Sequence, residues 1–144
     1  MAIVHELVNN LSYEVALAPA AAAVADNTAQ VSGIIDTRGY EHVTFVILTG
    51  ALADADATFA VTMHHGDAAN LSDAATVDTA CLVGTLADAG FTFAADNAVR
   101  KIGYTPGKGA GKRYVRITVT PSGNAGAAPM AILAAKLPLQ RPAA

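Results

Sequence analysis

The stretch 36–50, DTRGYEHVTFVILTG, constrains the fold of this chain more than any other. It opens on a turn signal, Asp36-Thr37-Arg38-Gly39, and runs into an apolar segment from Val43 to Leu48. In a strand, Val43, Phe45 and Ile47 share one side, and Thr44, Val46 and Leu48 the other. Both sides are apolar except at Thr44, and most of the side chains are β-branched or aromatic. Such a segment belongs in the middle of a sheet, with both of its faces covered.

The rest of the chain repeats the strand pattern in shorter pieces. Leu11, Tyr13, Val15 and Leu17 alternate with smaller or polar neighbours. Segments 30–36, 42–49, 58–65, 98–104, 112–120 and 130–137 read as strands, with weaker ones at 75–83 and around Phe91 and Phe93. In 58–65, Phe59, Val61 and Met63 share a face. In 112–120, Val115, Ile117 and Val119 point inward while Tyr114, Arg116 and Thr118 point outward. Segment 18–28 is alanine-rich but short and carries Pro19, which predicts a loop with at most one helical turn. Eight or nine short strands, separated by Gly, Asp, Pro and Asn turns and without a long helix, predict an all-β, single-domain sandwich. Eight strands of this length suit a jelly roll better than an immunoglobulin-like sandwich, which would show a Cys…Trp…Cys set. The expected organisation is an N-terminal arm over 1–10, a sandwich over 11–137 and a C-terminal tail over 138–144, with extended termini. The tail carries two prolines and is not expected to pair centrally.

A chain of 144 residues supports one such core. Its single cysteine excludes an internal disulfide. The 53% hydrophobic content overstates the supply of core material, because alanine alone contributes 33 residues and tryptophan none. A chain with so few large side chains is expected to lean on assembly for stability. No run approaches the roughly 20 apolar residues of a membrane-spanning helix. The segment 16–25 is also no secretory core, since acids and not bases precede it. Synthesis in a cytoplasm, with no membrane partner, is the expectation.

Charge is segregated along the chain. Residues 1–96 carry all twelve acids and one base, Arg38, for −11, and residues 97–144 carry the other eight bases and no acid, for +8, giving the net −3. Either basic strands neutralise acidic ones inside one fold, or the imbalance serves contacts between copies or with another protein. Nucleic acid is disfavoured as a direct partner, because the chain is net acidic and poor in aromatic residues.

Candidate chemistry is weak throughout. Gly107-Lys108-Gly109-Ala110-Gly111-Lys112-Arg113 resembles a phosphate loop at first sight. A Walker loop would need glycine at Pro106, Ser or Thr at Arg113, and a following helix. The stretch reads instead as a flexible hairpin loop displaying Lys108, Lys112 and Arg113. His64 and His65 are adjacent on a strand, point to opposite faces and cannot chelate one ion together. Asp54 and Asp56 lack the rest of a calcium loop. Cys81 has apolar neighbours and reads as a buried thiol. No Gly-x-Ser-x-Gly elbow is present. The expectation is a protein that is no enzyme and takes no cofactor or metal.

The segments DTRGYEHVTFVI (36–47) and GKRYVRITVT (111–120), with the alanine-rich last strand running into Leu-Pro-Leu-Gln-Arg-Pro (137–142), resemble the jelly-roll cement, or decoration, proteins of tailed bacteriophages. The resemblance covers residues 30–142. It implies a virion structural protein on the outer surface of the capsid, a homodimer or homotrimer that bridges and stabilises major capsid protein subunits. The partner-binding residues expected on that reading are Lys108, Lys112, Arg113 and Arg116 for charge, with Val4 and Leu7 on the arm. The nearest alternatives are another phage structural component, in the tail or at the head–tail junction, and a receptor- or glycan-binding β-sandwich.

Overall fold

The computed structural model describes residues 6–139. Eleven strands and one helical turn follow in the order β1 (Ser12–Leu17), β2 (Gln30–Val31), β3 (Ile35–Asp36), β4 (Tyr40–Thr49), β5 (Thr58–Gly66), β6 (Ala75–Thr76), β7 (Leu82–Val83), α1 (Leu86–Ala89), β8 (Phe91–Thr92), β9 (Val99–Tyr104), β10 (Tyr114–Ser122) and β11 (Met130–Pro138). They form two antiparallel sheets. One has the order β1-β11-β4-β9-β7; the other has β2-β10-β5-β6, with β3 also on β10 and β8 also on β5. The pairing is nested. The first strand pairs with the last, the broken second strand (β2 and β3) with β10, β4 with β9, and β5 with the fragments that follow it. That is the connectivity of a jelly roll.

The alternation seen in the sequence fills the space between the sheets. From the first sheet, Val43, Phe45 and Ile47 of β4, Ile102 and Tyr104 of β9, and Ile132 and Ala134 of β11 are all buried. From the second, Phe59, Val61 and Met63 of β5 meet Val115, Ile117 and Val119 of β10. Each large apolar side chain removed from water contributes about 1.5–3 kcal/mol. Phe59 and Phe91 stack with ring centroids 4.7 Å apart, fixing β8 against β5.

Several segments depart from the sequence expectation, each for a local reason. The strand expected over 30–36 is broken, because Ser32 takes the place of backbone in the ladder. Its hydroxyl accepts the Ile117 N–H at 3.0 Å, and the next residue, Gly33, donates its N–H across to Ala16 of β1 at 2.8 Å. Segment 75–83 divides into β6, a 3₁₀ turn (Thr79–Cys81) and β7. The four-residue helix α1 was not expected; Thr85 caps it by accepting the Asp88 N–H at 3.1 Å. Segment 18–28 contains no helix, only a bridge from Val24 to Ala128. β10 runs on through Pro121, where β2 has already ended and the missing N–H interrupts no ladder on that side. Pro138, expected in the tail, pairs with Tyr40 beyond a bulge at the end of β11. The described part of the N-terminal arm is a turn and not an extended segment. Leu11 N–H donates to the Leu7 carbonyl at 3.2 Å, and the Glu6 carboxylate accepts the Asn9 N–H at 2.9 Å.

Candidate functional site: an open apolar sheet face

The residues singled out for chemistry resolve into structural roles. Cys81 is buried; its thiol donates to the Lys108 carbonyl at 3.0 Å, and burial pushes its pKa up. His65 is buried against Tyr104 while His64 lies on the opposite face of β5, as the alternation requires. Asp54 accepts the N–H groups of Asp56 and Ala125, and these bonds hold its carboxyl below the usual range. Among the described residues, no group of three or more His, Cys, Asp or Glu side chains is arranged to hold a metal ion. No described helix is long and apolar enough to cross a membrane.

The glycine-rich loop is pinned rather than flexible. Cys81 holds it at Lys108, and the Tyr104 hydroxyl bonds both the N–H and the carbonyl of Lys112, at 2.7 and 2.8 Å. Gly111 is required there, since an added Cβ would collide with the Pro106 carbonyl.

The four basic residues expected to meet a partner differ in how free they are. Lys112 pairs with Asp67 at 3.1 Å. Arg113 bonds both carboxylate oxygens of Asp36 at 2.9 Å and lies over the Tyr114 ring at 4.9 Å. A third pair, Lys136 with Glu14, closes at 2.9 Å. Every one of these pairs joins an acid from the first 96 residues to a base from the last 48, so part of the segregated charge is neutralised within one copy. Lys108 is exposed and has no ion-pair partner among the described residues. Arg116 lies half-buried on β10 beside His64 of β5, and its buried Nε has no hydrogen-bond partner among the described residues. Leu7 is 66% exposed beside Tyr13, whose hydroxyl donates to the Leu7 carbonyl at 3.1 Å. Val4 lies outside the described residues.

The feature that sequence reasoning missed is the difference between the two outer faces of the sandwich. On the second sheet, β10 and β5 present Tyr114, Arg116, Thr118 and Thr120 beside Thr58, Ala60, Thr62 and His64. That face is polar, as a solvated face should be. On the first sheet the outward residues form cross-strand rows. One row is Tyr13, Ala135, Thr44, Gly103 and Val83; the next is Val15, Leu133, Val46 and Lys101; a third is Ala131, Leu48 and Val99. Among these residues Lys101 is the one charge. Val15, Val99, Val83, Tyr13 and Leu48 are between 44% and 63% exposed. β4 was expected to be covered on both faces; only its inner face is covered within the chain. The available signal was the doubly apolar β4 together with the odd-numbered apolar residues of β1.

A hollow of about 380 Å³ lies between His42, Thr44, Val83 and Lys101, while Gly103 itself is buried under the His42 ring and Val83. The His42 ring lies against Gly103, so that an added Cβ would overlap it. His42 bridges the Thr44 and Thr105 hydroxyls at 3.0 and 3.1 Å, and burial lowers its pKa. Comparison with known proteins brings no match from any protein family, curated protein or solved structure.

Proposed function

We propose that this chain is a virion structural protein, a capsid cement subunit that binds the outside of a phage head and bridges its major capsid protein subunits. The observation that carries the reading is the open apolar face of the first sheet, four strands wide, on a chain whose described clusters offer no metal site and whose His65, Cys81 and Asp54 are committed to structural bonds. An apolar patch of a few hundred Å² is the size of the largest on an ordinary monomer, and such a patch often serves a contact with another macromolecule. A rigid jelly roll with pinned loops suits a part that must bear load rather than turn over substrate. The resemblance of segments 36–47 and 111–120 to cement proteins directs the reading to a capsid.

Charge refines the contact. Of the four basic residues named above, Lys108 and Arg116 have no ion-pair partner among the described residues and can meet acidic shell residues, whereas Lys112 and Arg113 are shared with Asp67 and Asp36. The test is co-sedimentation of the purified protein with expanded, decoration-free heads of the phage that encodes it. Saturable occupancy is expected. The Lys108→Glu/Arg116→Glu double variant should reduce it more than Lys112→Glu/Arg113→Glu. A folded protein that ignores those heads would overturn the proposal.

A further inference from the structure

We draw no further inference here: the strongest candidate, the open apolar face of the β1-β11-β4-β9 sheet, carries nothing beyond the reading above, because nothing in the structure shows what covers it.

Discussion

The His65 Nδ1 lies 2.9 Å from the Tyr104 hydroxyl, and that hydroxyl also accepts the Lys112 N–H and donates to the Lys112 carbonyl. A hydroxyl has one proton, and here it is committed to the carbonyl, so His65 must be the donor to Tyr104 through Nδ1–H. One buried oxygen thus ties β9, β5 and the end of the glycine-rich loop together. Burial pushes the phenol pKa up to about 12, which keeps it a donor at any pH the protein meets.

Replacing Tyr104 with Phe would keep the ring in the core and remove all three bonds. The Lys112 N–H, the Lys112 carbonyl and the His65 Nδ1 would be left to find other partners in a largely buried site. A loss of about 2–4 kcal/mol is expected, short of the full sum because the loop can relax toward water. Urea unfolding of the variant should show a lower midpoint with an unchanged slope. A midpoint equal to wild type would mean that the hydroxyl does not hold the loop.

The same triad sets a pH dependence. Burial lowers the His65 pKa, helped by Lys112 and opposed by Asp67, Asp78 and Asp73. The unfolded chain therefore takes up the imidazole proton first, near the ordinary value of about 6.5. Stability is fully present above that value and falls as pH drops from it toward the lower folded-state pKa. His42, also lowered by burial, acts in the same direction. Urea midpoints should be level on the alkaline side of neutrality and decline on the acid side. His65→Gln, whose amide can still donate to Tyr104, should flatten part of that decline.

How much of this was legible in the sequence depended on what each residue answers to. Val115, Ile117 and Val119 follow a period of two because one face of β10 is core and the other is water, and the sequence states that directly. The break at Ser32-Gly33 was not legible, because it depends on a hydroxyl replacing a carbonyl opposite Ile117, a partner 85 residues away. The basic residues were located but not their states. Lys112 and Arg113 sit beside Arg116 in sequence, yet Asp67, just after β5, and Asp36, on β3, come from distant parts of the chain and neutralise only the first two. The open face was half legible. β4 declares two apolar sides, but an apolar side reads the same whether its cover comes from this chain or from another.

The Asp36–Arg113 pair allows the charge argument to be measured at one site. Hydrogen bonding from Arg113 is the largest influence on Asp36 and holds its carboxyl down to about 2, with the Arg38 N–H assisting. A carboxylate with a depressed pKa stabilises the fold above its ordinary value of about 3.9, and that stability is lost as pH falls from there through the folded-state value. Both side chains are more than two-fifths exposed, so water screens the pair and its worth at neutral pH is below about 1 kcal/mol. Arg113→Gln should therefore return the Asp36 titration toward the ordinary value, followed through its carboxyl carbon by NMR, while barely moving the urea midpoint at neutral pH. An unchanged Asp36 titration would show that Arg113 is not its partner in solution. The guanidinium would then be as free as that of Arg116 to meet a shell carboxylate.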